Sequence, residues 1–170
     1  MIVATTGHRD PSRWPRGAVD GWRRLLADER VAVVRVGGAV GWDTHALGLA
    51  DVMRSLRPRD VRWRVELYCT GRVVDLPSLA HSAANRCLRD GDELVELCLA
   101  DHDSGSGEWA LAAKRRNGAM LVGGRNVDGK LSTTARADML FAAWDGEERG
   151  GTWDCVQKAR AAGIPVREWR

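Results

Sequence analysis

The sequence predicts an open, mostly parallel α/β sheet with helices on both faces. Three observations carry this. Short apolar runs rich in β-branched residues recur along the chain, bounded by glycine or polar turn residues. Segments with helical apolar spacing lie between them, so strand and helix patterns alternate. Three of the strand patterns end in glycine-bearing loops that lead to a helix. These are Thr6-Gly7-His8-Arg9, the stretch Gly37-Gly38-Ala39-Val40-Gly41-Trp42-Asp43-Thr44, and Asp145-Gly146 through Gly150-Gly151-Thr152. Crossovers of this kind are right-handed and return each strand parallel to the last.

The elements follow in order. Ile2 to Thr6 is apolar and β-branched, stopped by Gly7, and reads as a central strand. Pro15 and Gly17 precede a helix over Ala18 to Glu29, whose Trp22, Leu25 and Leu26 form an i, i+3, i+4 stripe. Val31 to Val36 is the second strand. Asp43 or Thr44 can cap the next helix, with Ala46, Leu47, Ala50, Met53 and Leu56 as its apolar face and Pro58 beyond its end. Arg62 to Cys69 alternates, with Trp63, Val65, Leu67 and Cys69 on one side; one polar face suits an edge strand. Leu76 to Leu88 reads as a helix with Pro77 in its first turn. Glu93 to Leu99 fits either a helix end or a short strand, and Asp101 to Gly107 is a flexible loop. Glu108 to Val122 is helical, though Gly118 weakens the pattern. Gly123 to Lys130 is a polar hairpin or loop. Met139 to Trp144 is an apolar strand, and Gly151 or Thr152 opens a helix to Ala162 with Gly163 as C-cap. Val166 to Trp169 adds a last strand.

Bulk properties narrow the function classes. The 170 residues fit one domain, 1–170, long enough to bury a core. A net charge of +3 without a long Lys/Arg run suits a protein that handles anions; nucleic acid stays open as a partner but is not favoured. No apolar run approaches the length of a membrane span, and Met1-Ile2-Val3-Ala4 starts directly as a strand, without the layout of a signal peptide. The four cysteines are scattered and form no CxxC, which predicts buried free thiols and a cytoplasmic location.

In open α/β sheets, ligands sit beyond the carboxyl ends of the strands. The three glycine loops converge there. Thr6, Gly7, His8 and Arg9 bring a hydroxyl, bare backbone, a titratable ring and a fork of donors suited to phosphate. Gly37, Gly38, Ala39 and Gly41 bring backbone amides, and Asp43 and Thr44 a helix start. Gly150, Gly151 and Thr152 bring a second helix N-terminus, where free N–H groups favour anions. Asp145, at a strand end, is placed for a ribose hydroxyl or for catalysis.

Thr6-Gly7-His8-Arg9, followed by Gly37-Gly38-Ala39-Val40-Gly41-Trp42-Asp43 with Ala46 and Ala50, resembles the SLOG superfamily. This is the Rossmann-like group that joins DNA-processing protein A and the Lonely Guy phosphoribohydrolases. Within it the pattern is most similar to small bacterial and phage proteins that begin with a strand and TGHR. Arg116-Asn117-Gly118-Ala119-Met120 matches their RN-x-x-M pattern, and Trp144-Asp145-Gly146 with Gly150-Gly151-Thr152 matches their later Asp-Gly and GGT. The resemblance implies a single Rossmann-like domain, a nucleotide or nucleotide-derived ligand, Arg116 and Asn117 among its contacts, and a homodimer. No cofactor or metal is required by these contacts. The Lonely Guy enzymes use PGGxGTxxE, whose Glu serves catalysis. Here no proline precedes Gly150, no GxGT is present, and Cys155 stands three residues after Thr152. Asp154 is one residue off, a rotation of about 100° on a helix. A hydrolase would need another carboxylate, with Asp43, Asp145 and Asp154 as candidates.

Other signals carry less. Gly124 to Lys130 satisfies the first seven positions of a P-loop, but Leu131 stands where Ser or Thr must hold Mg²⁺. His8, His45, His81 and His102 form no zinc motif. Trp42 and Trp153, in two of the loops, can stack on a base or pack beneath the loop. Lys114 and Arg115 read as a solvated face. Three functions remain: a nucleotide-sensing or sequestering module, a nucleotide- or nucleoside-processing enzyme cleaving an N-glycosidic or phosphate bond, and a DNA-processing protein that binds single strands.

Overall fold

The computed structural model describes residues 1–58, 63–70, 85, 93–97, 99, 105–127 and 130–169. The strands are β1 (Ile2–Gly7), β2 (Val33–Gly37), β3 (Arg64–Cys69), β4 (Glu93–Glu96), β5 (Gly124–Val127), β6 (Lys130–Thr133), β7 (Met139–Ala143) and β8 (Val166–Trp169). The helices are α1 (Ala18–Leu26), α2 (Trp42–Ser55), α3 (Ser106–Val122) and α4 (Gly150–Ala161), with a 3-10 turn at Pro11–Arg13. Six strands form one sheet in the order β4-β3-β2-β1-β7-β8, parallel throughout. This is the Rossmann-like α/β architecture. No described helix is long and apolar enough to cross a membrane.

β1 is central because both of its faces are apolar. Val3 packs with Trp22, Leu26, Val36, Trp42 and Phe141 beneath α1 and α2. Ala4 packs with Met120, Leu121, Leu140, Ala142 and Val156 beneath α3 and α4. Burying a large apolar side chain contributes roughly 1.5–3 kcal/mol, so two full layers hold helices on both faces. The stripe on α1 buries Ala18, Trp22, Leu25 and Leu26 and leaves Arg23 and Arg24 outside. The helix ends at Leu26, three residues short of the expected Glu29.

Several expectations are corrected. β3 is not an edge strand: it lies between β2 and β4, and its polar alternates Glu66 and Tyr68 are buried, with Arg64 exposed at its start. Glu66 accepts from Arg35 Nε at 2.7 Å, from Arg64 Nη2 at 2.6 Å and from Tyr68 Oη at 3.3 Å. Arg35 Nη1 also donates to the Met120 carbonyl near the end of α3 (3.2 Å). Mutual pairing lets a polar face be covered, because a buried charge is tolerated only when paired and hydrogen-bonded. Glu93–Glu96 is a strand and now forms the edge. Neither Asp43 nor Thr44 caps α2; the N-cap is Gly41, whose φ of +101° suits glycine. α3 begins at Ser106, inside the expected loop, and α4 at Gly150. The helix expected over Leu76 to Leu88 lies outside the described residues.

The excursion after α3 is an antiparallel hairpin of β5 and β6. Its described residues are two strands, so the P-loop-like string there runs into a strand at Lys130 and lacks the helix start that phosphate binding needs. Cys69 is buried and Cys155 is a buried free thiol; Cys87 and Cys98 lie outside the described residues.

Candidate functional site

The strand order creates the site. From β1 the chain builds one half of the sheet through β2, β3 and β4; β7 then adds to the other side of β1. The connections leaving β1 and β7 run in opposite directions and open a crevice at their carboxyl ends, the usual ligand position in this architecture. A cavity of about 430 Å³ occupies it. That volume lies in the range of small-molecule sites.

Its walls come from four segments. Thr6, Gly7, His8 and Arg9 follow β1, with Asp10 and Arg13 from the next turn. Ala39 and Asp43 come from the β2–α2 connection, and Gly150, Gly151 and Thr152 from the start of α4. The fourth wall is one face of α3: Ala110, Ala113, Lys114, Arg116 and Asn117. The structure thus brings together eleven of the sequence-derived site residues. Gly37, Gly38, Gly41, Thr44 and Asp145 are not on the wall.

The glycines divide by what surrounds them. A Cβ on Gly37 would lie 1.7 Å from Arg116 Nη1 and 2.3 Å from Asp43 Oδ2. One on Gly7 would meet the Trp42 side chain at 2.4 Å, and one on Gly41 the Arg9 backbone at 2.4 Å. These three make room for protein. The Gly38 amide donates to the Tyr68 carbonyl (3.1 Å), and the Ala39 amide points at Asp43 Oδ2 (3.4 Å). Thr44 Oγ1 donates to the Ala39 carbonyl (3.0 Å). At Gly150 and Gly151, by contrast, an added Cβ meets nothing within 4 Å. The start of α4 is open, and its first-turn amides have no partner within the helix.

All three candidate carboxylates are engaged. Asp43 is buried and pairs with Arg116 Nη1 at 3.1 Å. Burial pushes its carboxyl up, and the facing guanidinium opposes that shift. Asp154 accepts from Lys158 at 2.7 Å and from Asn117 Nδ2 at 3.3 Å. Asp145 accepts from His8 Nε2 at 2.8 Å and from Arg13 Nε and Nη2 at 2.8 and 2.6 Å. Burial pushes Asp145 up, but the Glu147 amide, Arg13 and His8 together outweigh it and hold the carboxyl well below its usual range. Glu147 pairs with Arg13 in turn.

Asn117 joins α3 to α4. It is 2% exposed, and its Nδ2 donates to the Gly151 carbonyl at 3.0 Å. Arg116 Nε and Asn117 Oδ1 are buried with no hydrogen-bond partner among the described residues. Such orphaned atoms beside a cavity mark a place where a ligand or water completes the set.

Arg13, Asp10 and Lys114 were missed as site residues. Lys114 is exposed, as expected, and it also lines the cavity: Ala110, Ala113, Lys114 and Asn117 stand at i, i+3, i+4 and i+7 and present one face. Small residues at the first two positions were the legible signal. Arg13 is aimed by a turn in which Asp10 Oδ1 accepts the Ser12 amide (2.9 Å), with Pro11 between. Trp42 packs beneath its loop: it is 0% exposed, donates to Thr5 Oγ1 at 2.7 Å and stacks on Phe141. Trp153 stacks on Trp144 at 5.2 Å and lies under the Arg160 guanidinium. Among the described residues, no group of three or more His, Cys, Asp or Glu side chains is placed to hold a metal ion.

No family model matches the chain. No curated protein sequence matches it either. Its fold is similar to that of DNA processing protein A from Streptococcus pneumoniae, with a TM-score of 0.62 and 16% sequence identity. The alignment covers 98% of this chain and 49% of that one, so the chain spans about half the length of its structural relative.

Proposed function

We propose that the cavity binds a nucleotide or a nucleotide-derived small molecule, as a sensing or sequestering module. One observation supports this most strongly. Two basic side chains on the wall, Arg9 and Lys114, make no ion pair among the described residues, and they share the cavity with the open N-terminus of α4. Four basic side chains line the cavity (Arg9, Arg13, Lys114 and Arg116) against two acidic ones, Asp10 and Asp43. An excess of positive charge beside free helix amides favours phosphate. In this reading the phosphate sits at Gly150 to Thr152, rather than on the amides of Gly37 to Gly41, which serve the protein's own packing.

Titration calorimetry with AMP and ADP tests the proposal. Wild-type protein is expected to bind at least one of them. Arg9→Ala and Lys114→Ala should each weaken binding about tenfold, the loss of a charge-assisted hydrogen bond of roughly 1.5–3 kcal/mol partly offset by solvent. Binding unchanged in both variants contradicts the placement. The structural relative's role in DNA processing supports a second reading, a single-stranded nucleic acid occupying the same edge. That reading predicts affinity for an oligonucleotide that falls steeply with salt.

A further inference from the structure

We propose that His8 is a general base in this cavity, and that the protein hydrolyses a nucleotide phosphoanhydride there. This rests on the binding reading above and deepens it by assigning a reaction. On the wall, Asp10 accepts the Ser12 amide, which holds its carboxyl below the usual range. Asp43, Asp145 and Asp154 each face a cation at 3.1 Å or less. A facing cation lowers the proton affinity of a carboxylate; at Asp43 burial outweighs it, but that carboxyl is taken up by Arg116 and the Ala39 amide. His8 differs. Its Nε2 is held by Asp145 at 2.8 Å, while Nδ1 has no hydrogen-bond partner among the described residues and is not sealed from solvent. A carboxylate that accepts from Nε2–H leaves Nδ1 with a free lone pair.

The ring is also held in place. The His8 carbonyl accepts from Trp14 Nε1 at 2.9 Å and from the Trp42 amide at 3.0 Å. Asp145 is fixed by Arg13, which is clamped in turn by Glu147. A base oriented by a second group, itself oriented by a third, is the arrangement that proton transfer in a site requires. Fixing the β1 loop to the β7 loop would need only the His8–Asp145 contact; it gives no reason for the open nitrogen on a cavity wall.

The bond to be cleaved follows from the cations on the wall, Arg9, Arg13, Lys114 and Arg116, which suit a departing phosphate anion. Breaking an ester of a sugar hydroxyl needs a proton for the departing alkoxide, whereas an anhydride releases phosphate, which leaves as a stable anion. In the step, a water oxygen bonds to phosphorus as its proton passes to His8 Nδ1. The bridging P–O bond breaks, and its electron pair leaves on the departing phosphate. The imidazolium then returns the proton to solvent. Lys114 and the first turn of α4 face the charge that spreads over the phosphoryl oxygens. Asp145 acts through His8 and is a positioning residue.

The test incubates ADP with the protein and separates AMP and phosphate by ion-exchange chromatography between pH 5 and 9. Calorimetry with ADP is run on the same samples. The charged groups around His8 are Asp145, which pairs with it, Arg9, Asp10, Arg13, Asp43, Lys114 and Arg116, which share its cavity, and Glu147, which pairs with Arg13. Wild-type kcat/KM should rise with pH as the base loses its proton and then level. His8→Gln should lose about 100-fold or more in kcat while still binding ADP. Asp145→Asn should lower kcat and shift the rising limb of the pH profile, a change that a purely structural tie would not produce. Binding of ADP without AMP release in wild type, or equal turnover in His8→Gln, overturns the inference and leaves the binding reading standing. Absence of ADP binding in wild type overturns the inference, and absence of both AMP and ADP binding overturns the binding reading as well.

Discussion

Asp145 shows how a single residue couples the two loops at the switch point. Its carboxyl is kept ionised by three donors: the Glu147 amide at 3.0 Å from its own loop, and Arg13 and His8 from the loop after β1. A group whose folded value is depressed stabilises the fold above its unfolded value. That contribution is lost as pH falls through the folded value. The melting-temperature difference between wild type and Asp145→Asn should therefore be largest above about pH 4 and shrink in more acid solution. A difference that grows on acidification contradicts the assignment. At this scale the sequence was partly legible. Thr6, Gly7, His8 and Arg9 were identified from their residue types and they line the cavity. The reason for Gly37 was not legible, because it depends on Arg116, which reaches the loop from a helix far along the chain.

At the scale of elements, the site depends on α3 and α4 holding register. Asn117 supplies the link: its Nδ2 bridges the Gly151 carbonyl and Asp154. Asn117→Ala leaves those acceptors without a buried donor, a cost of about 1–3 kcal/mol. Amide exchange over Gly151 to Asp154 should accelerate while the β1 core is unchanged, read by hydrogen–deuterium exchange; uniform acceleration across the fold would contradict the local role. Element order, parallel pairing and the central place of β1 were readable because apolar runs and glycine stops are local signals. The position of β3 was not. Its alternation resembles an edge strand, and only the Arg35–Glu66 pairing across to β2 explains how such a strand is buried. Pairing between strands leaves no local mark.

At the scale of the whole molecule, strand order decides where chemistry is possible. Because β7 joins β1 on the side away from β2, the loops after β1, β2 and β7 meet α3 around one cavity. Uncommitted basic side chains, an open helix start and an oriented histidine face each other there, while the two apolar layers keep the scaffold fixed. The measurement that tests this most directly is hydrogen–deuterium exchange of the wild-type protein with and without saturating ADP. Protection is expected to concentrate at Thr6 to Arg9, along Ala110 to Asn117 and at Gly150 to Thr152. Bound ADP that protects none of these segments would contradict it.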